Sequence, residues 1–157
     1  MNARPRSEIT GDMMIKRAGT EDAETLAGLA IQMWTDNDFD DLAQAFCELA
    51  RDTEAACFIQ YAAGTPIAFA QCSLRHDYVE GTDSSPVGYL EGVFVAEGYR
   101  RNGVASKLLT ECEKWARGKG CAEFASDCEL DNEDSRRFHL SVGFEEANRI
   151  ICFRKAL

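Results

Sequence analysis

Tyr89-Leu90-Glu91-Gly92-Val93-Phe94-Val95 leads through Ala96-Glu97-Gly98-Tyr99 into Arg100-Arg101-Asn102-Gly103-Val104-Ala105. Val93, Phe94 and Val95 are β-branched or aromatic and favour a strand. From Val104 onward the apolar residues are Val104, Ala105, Leu108, Leu109, Cys112, Trp115 and Ala116. Their spacing makes one face of an amphipathic helix. The segment therefore reads as strand, basic glycine-containing turn, helix. A helix N-terminus presents unpaired N–H groups and the positive end of the dipole. Gly103 lets a ligand approach the backbone, and Arg100 and Arg101 add positive charge. This is a place to hold a phosphate or pyrophosphate.

Around this centre the rest of the chain falls into short elements. Met14–Ala18 reads as an edge strand. Thr20 is placed to cap a helix whose apolar face is Leu26, Leu29, Ala30 and Met33, ending at Trp34. Leu42, Ala45, Phe46, Leu49 and Ala50 mark a second helix. Ala56–Ala62 and Ile67–Leu74 form a hairpin about Ala63-Gly64. Arg75–Pro86 is a polar loop. After the central strand and helix, Lys119-Gly120 closes the helix. Cys121–Asp127 is the next strand and Asn132–Val142 a short helix. Phe144–Ala147 and Ile150–Lys155 complete a last hairpin. This order predicts an α/β (α+β) fold, a mixed sheet with helices on both faces.

The 157 residues, 45% of them hydrophobic, suffice for one core. The expected division is a loose tail over residues 1–12 and one domain over 13–157. No run approaches a membrane span, and the N-terminus lacks the apolar core of a signal peptide. The seven cysteines are scattered without a C-x-x-C pair, as expected of small buried hydrophobes in a reducing compartment. No metal-ligand spacing is present, so no metal is expected. The net charge is −10, with ten acids and one arginine between Glu21 and Glu54 and eight acids between Glu123 and Glu146. Such a surface argues against nucleic acid. It suits a polycationic partner, and it also serves plain solubility.

Arg100-x-x-Gly103-x-Ala105 resembles the acyl-CoA loop of the GNAT acetyltransferase superfamily, Q/R-x-x-G-x-G/A. The element order is similar to the GNAT fold, with its mostly antiparallel sheet, over residues 13–157. A second signature lies at Asn132 and at His139-x-x-x-Gly143-Phe144. The family commonly has an Asn at the start of this helix and an aromatic-x-x-x-Gly-Phe at its end. That aromatic is usually a tyrosine, often assigned as the acid that protonates the CoA thiolate. Here it is His139, so the acid is His139 or water. A thiol of pKa about 8.5 leaves tolerably with little help. Arg75-His76-Asp77-Tyr78-Val79, Asp83-Ser84-Ser85-Pro86 and Ala125-Ser126-Asp127 are similar to a narrower group, the aminoglycoside 6′-N-acetyltransferases of the chromosomal Gram-negative type.

The resemblance implies an enzyme that transfers acetyl from acetyl-CoA to an aminoglycoside amine, cytoplasmic and homodimeric. It implies that Trp34, Asn37, Tyr78, Glu91, Asp127 and Asn148 line the substrate site. It implies that Val93, Phe94 and Val95 give CoA its backbone partners. Arg100, Arg101, Asn102, Gly103, Val104, Ala105 and Ser106 would hold the pyrophosphate, and Asn132 would touch the cofactor. The chemistry needs a neutral amine, a donor for the carbonyl oxygen and a proton for the thiolate. An alkylammonium is largely protonated near neutrality, so a carboxylate must bind it and help remove a proton. Glu91 on the central strand and Asp127 at the end of the next would meet at one cleft mouth if those strands are neighbours. The expected catalytic set is thus Glu91, Asp127 and His139.

Each residue also has a plainer use. Trp34 at a helix end serves as core, and Tyr78 as a loop anchor. Glu91 serves as a solvated strand residue, Asp127 as a cap, and His139 as a buried, satisfied histidine. Two other functions share the framework: acetylation of a polyamine, amino acid or protein N-terminus, and CoA binding without catalysis. A carboxylate pair has no purpose in a mere CoA sensor.

Overall fold

The protein is described by a computed structural model over residues 12–157. The expected tail lies outside the described residues, Asp12 apart. Five strands form one sheet in sequence order: β1 (Met13–Arg17), β2 (Ala55–Ala62), β3 (Thr65–Arg75), β4 (Val87–Val95) and β5 (Phe124–Ser126). The first three junctions are antiparallel and β4–β5 is parallel. A parallel neighbour needs a crossover. Helix α3 (Val104–Gly118) supplies it. Before it come α1 (Ala23–Ala30) and α2 (Phe39–Arg51), and after it α4 (Glu133–Ser141).

Two apolar layers sandwich the sheet. Val104, Leu108, Leu109, Cys112 and Trp115 of α3 pack on Phe58, Ala70, Cys72 and Leu90. On the other face, Leu26 and Leu29 of α1 and Phe46 of α2 pack on Cys57, Ile59, Phe69 and Phe94. Phe69 is fully buried there, with Phe46 and Trp34 meeting it edge-on at 5.8 and 6.1 Å. The mixed, mostly antiparallel sheet with helices on both faces matches the reading of the sequence.

The first helix ends at Ala30 rather than at Trp34, and three other local expectations change. Thr20 is not the cap of α1. It opens a 3-10 turn, Thr20–Asp22, in which Asp22 accepts from the Gly19 N–H at 2.8 Å. Asp22 is buried and pairs with Lys16 at 2.9 Å. β5 starts three residues later than Cys121, because the Cys121 N–H is spent on the Ala116 carbonyl (3.0 Å) in closing α3. The last hairpin does not form. Residues 145–157 carry no strand and run exposed along the surface. Their apolar pattern fits a strand, but no strand is paired with them. The cysteines are all free. Cys57, Cys72 and Cys112 are buried as expected, while Cys128 and Cys152 are exposed.

One irregularity in the sheet sets up the site. Cys72 pairs with Leu90 and Gln71 with Gly92, so Glu91 has no partner on β3. It is the extra residue of a β-bulge. A bulge puts two successive residues on one face and re-aims a side chain.

Candidate active site

The central strand leaves half of one edge open. β5 pairs only with Gly88, Tyr89 and Leu90 of β4. From Glu91 to Val95, β4 and β5 part company. The fork faces the N-terminus of α3. Gly103 caps that helix in the left-handed region (φ 73°), without any side-chain cap. The N–H groups of Val104, Ala105 and Ser106 therefore point outward unpartnered by the helix. A Cβ built on Gly103 meets nothing within 4 Å, so the space before the helix is open. The loop leading to it is shaped by its own side chains. Asn102 donates to the Arg100 carbonyl at 2.8 Å, and Arg100 Nε donates to the Val95 carbonyl at 2.9 Å. Donors and dipole at this helix end suit a phosphate, and Arg100 and Arg101 lie in the loop before it.

Not every cofactor candidate offers a side chain. Phe94 and Val104 are buried in opposite cores, so only their backbone is available. Val93 and Val95 pack partly against the α3 layer. Asn132 is the N-cap of α4, its Oδ1 accepting from the Ser135 N–H at 3.1 Å, which leaves its amide nitrogen to a ligand.

On the opposite side of β4, the bulge turns Glu91 toward β3. Its carboxylate accepts from Ser73 Oγ at 2.6 Å and from Arg75, whose Nη2 lies 3.1 Å from each oxygen. Trp34 flanks the same spot. A Cβ on Gly92 would stand 3.0 Å from its indole Cζ2, so glycine is what lets the ring come this close. Asn37 is exposed beside it and bonds back to the Trp34 carbonyl at 3.3 Å.

Asp127 follows β5 directly and accepts a short hydrogen bond from Tyr89 Oη. Burial first, then the Asp127 bond, raise the Tyr89 phenol above its usual range, so it stays a donor. Glu91 and Asp127 lie on or next to neighbouring strands, Glu91 turned toward β3 and Asp127 at the end of β5. Their link is indirect, since the Arg75 guanidinium lies 3.4 Å over the Tyr89 ring. Arg75, Tyr89 and Ser73 contact the two carboxylates or each other, and reading the sequence did not pick them out. Arg75 and Tyr89 lie in stretches quoted above, but only the strand register gives them roles.

Tyr78 is widely exposed on an anchored loop. Val79 beside it is buried with Val87 and Tyr89. Glu123 holds the far limb through the Asp83 N–H (2.9 Å) and Ser84 Oγ (2.5 Å). Asn148 reaches the same loop, donating to Glu80 at 2.9 Å. His139 on α4 faces Ser126 Oγ at 2.8 Å through Nε2, while Nδ1 lies 2.7 Å from the Ser135 carbonyl. A carbonyl only accepts, so Nδ1 carries a proton, while Ser126 Oγ, the partner of Nε2, also donates to the Leu90 carbonyl at 3.3 Å. Among the described residues no group of three or more His, Cys, Asp and Glu is placed to hold a metal ion.

A strand pair that forks beside a glycine-capped helix, with an anion site on one side and carboxylates on the other, is built to bring an acyl thioester to an amine. The chain belongs to the acetyltransferase (GNAT) family, whose model matches residues 23–144, and it is an acetyl-CoA-dependent N-acetyltransferase. It is 41% identical over 143 residues to the aminoglycoside N(6')-acetyltransferase type 1 of Salmonella enteritidis, covering 91% of this chain and 99% of that protein. It is similar to the solved structure of AAC(6')-Iy in complex with CoA, at 40% identity and TM-score 0.90, covering 93% of this chain and 96% of that one. The structure of AAC(6')-Iy with the bisubstrate analogue CoA-S-monomethyl-acetylneamine gives 39% identity and TM-score 0.90, covering 94% and 100%.

Proposed function

We propose that the protein is an aminoglycoside 6′-N-acetyltransferase, moving acetyl from acetyl-CoA to the 6′-amine of aminoglycoside antibiotics and so conferring resistance to them. The observation that supports this reading is the pair of carboxylates, Glu91 and Asp127, on or next to neighbouring strands, with Trp34 against Gly92 and Tyr78 exposed on the loop between β3 and β4. Two flat rings and two anions suit a polycationic sugar. The relatives named above act on such substrates.

The residues divide the work. Acetyl-CoA lies along the open half of β4, its pyrophosphate on the N–H groups that open α3. Arg100, Arg101 and Asn102 shape and charge that turn. Trp34, Asn37, Tyr78 and Asn148 seat the sugar rings. Glu91 and Asp127 receive ammonium groups, and a carboxylate takes a proton from the reacting one, directly or through water. The neutral amine then attacks the thioester carbonyl and the thiolate departs. The thiolate takes its proton from water or from His139, which must then hold a proton on Nε2 as well as on Nδ1 and pass it through the Ser126 hydroxyl.

The test is regiochemical. Neomycin carries an amine at the 6′ position where paromomycin carries a hydroxyl. An alcohol has a much higher pKa and lower nucleophilicity, so the carboxylate gives it no equivalent help. Neomycin is expected to turn over readily and paromomycin poorly, followed by release of free thiol. Equal turnover of both, or acetylation of kanamycin at another amine by mass spectrometry and NMR, refutes the 6′ assignment. Turnover of only a polyamine or peptide moves the function to another amine.

The protein works in the cytoplasm, as seven free cysteines suit, and as a homodimer. What supports the dimer is the arm at residues 145–157. Ile150, Ile151 and Phe153 are 67%, 81% and 91% exposed there. Two hollows beside β5 share Glu113 and Phe124, one continuing to Val142 and Phe144 and the other to Cys121, Arg117 and Glu123, and offer a mixed polar and apolar seat for a second copy's arm. Arg154 and Lys155 on the arm complement Glu113 and Glu123 near the seat. Ile151→Asp with Phe153→Asp is expected to sediment as a monomer where the natural chain sediments as a dimer. A dimer that survives both changes uses another surface.

A further inference from the structure

We propose that Arg75 is a positioning residue for the reaction, holding Glu91 by a two-pronged ion pair and Asp127 through the ring of Tyr89. The inference rests on the acetyltransferase reading of the site, though it does not depend on which amine is acetylated.

The geometry is that of one planar group serving two carboxylates. Arg75 Nη2 donates to both oxygens of Glu91 at 3.1 Å, and Nε adds a bond to Oε1 at 3.3 Å. The same guanidinium lies over Tyr89, its carbon 3.4 Å from the ring centre. Tyr89 is only 6% exposed, and its hydroxyl donates to Asp127. Ser73 braces Glu91 from the adjoining position on β3 at 2.6 Å. Ser73 and Arg75 pair with Tyr89 and Val87 of β4, so the backbone register fixes where the guanidinium begins.

Stability is a poor reason for this arrangement. The Arg75 and Glu91 side chains are 43% and 27% exposed, and an ion pair so open to solvent contributes little to folding. Nor does a lone arginine attract a polycation; its charge opposes one. What it supplies is direction. A bulge residue has no strand partner to fix it, and Glu91 is such a residue. The fork-shaped, planar guanidinium pins the carboxylate's plane and stacks on the ring at once, which an ammonium cannot do. Placement errors of about 1 Å at a reacting group cost about 100-fold in rate.

Two opposite effects can be told apart. If Arg75 only repels substrate, removing it lowers the amine's KM and leaves kcat alone. If it positions, removing it lowers kcat. Arg75→Ala is expected to lower kcat about 100-fold, with the amine's KM unchanged or lower and acetyl-CoA affinity retained. Arg75→Lys should recover little of this loss. Guanidinium ion added to the Arg75→Ala enzyme should restore part of kcat, which a merely structural role would not show. Tyr89→Phe keeps the stacked ring but loses the hydroxyl. It is expected to cost about tenfold, and the double variant no more than Arg75→Ala alone, as for residues acting in one network. Unchanged kcat in Arg75→Ala, full activity in Arg75→Lys, absence of guanidinium rescue, or strictly additive losses would each overturn the proposal. The series is run on whichever amine the natural enzyme turns over best. Failure of the aminoglycoside reading then appears in the natural enzyme, and failure of this proposal only in the variants.

Discussion

Glu91→Gln and Asp127→Asn are each expected to lower kcat/KM for an aminoglycoside by about 10² to 10⁴, the range a positioned acid or base contributes. Acetyl-CoA affinity should be left where it was. Both changes keep shape and keep an oxygen acceptor. The new amide at position 127 can still accept from Tyr89 Oη, and the one at position 91 from Ser73 Oγ. What goes is the negative charge that holds an ammonium and the base that takes its proton. The two sites are separate in the structure, since the anion-binding turn lies at Gly103 and the carboxylates face Arg75 and Tyr89. Steady-state kinetics on the amine, with calorimetry on CoA, reads both halves. A loss of CoA affinity as large as the loss of activity would show that the roles are misassigned.

Gly103→Glu should abolish measurable acetyl-CoA binding in a protein that still folds. The new side chain enters the space before α3, where a Cβ meets nothing within 4 Å. Crowding therefore does not unfold the chain. The left-handed backbone, φ 73°, costs a non-glycine residue about 1–2 kcal/mol locally. The larger effect is electrostatic. A carboxylate about 4 Å from a phosphate charge costs about 1–4 kcal/mol across surface-like dielectrics, and the same carboxylate occupies the N–H groups that the pyrophosphate needs. Gly103→Asn is the control, because asparagine tolerates the left-handed region and carries no charge. Calorimetry should show binding lost in the Glu variant and largely kept in the Asn variant. Unchanged affinity in the Glu variant would move the pyrophosphate elsewhere.

The central strand, turn and helix were legible because β-branched and aromatic residues give way there, past a glycine-containing turn, to apolar residues at helical spacing. The α2 boundary was legible through its leucine and phenylalanine spacing, and Asp38 confirms it by accepting from the Asp40 and Asp41 N–H groups. What failed to read were events decided by competition for backbone partners. Cys121 belongs to a strand by composition, but its N–H completes the end of α3. Ile150 to Phe153 look like a strand, yet a strand needs a neighbour, and none is paired with them. The candidate site was legible as a set of residue types and a loop. Its wiring was not. Nothing local to Arg75 says that it lies over Tyr89, because that depends on the β3–β4 register and on one unmatched residue.

That unmatched residue has a wider meaning for the strand. Leu90 and Gly92 keep their partners on β3 on either side of Glu91, so the ladder would close without a gap if Glu91 were absent. The carboxylate rides on a residue that is supernumerary to the sheet. The scaffold's hydrogen bonding and the site's chemistry are written on different residues of a single strand. Exchanging the side chain at position 91 is therefore a change of reagent on an unchanged frame, whereas exchanging Leu90 or Phe94 is a change to the frame itself.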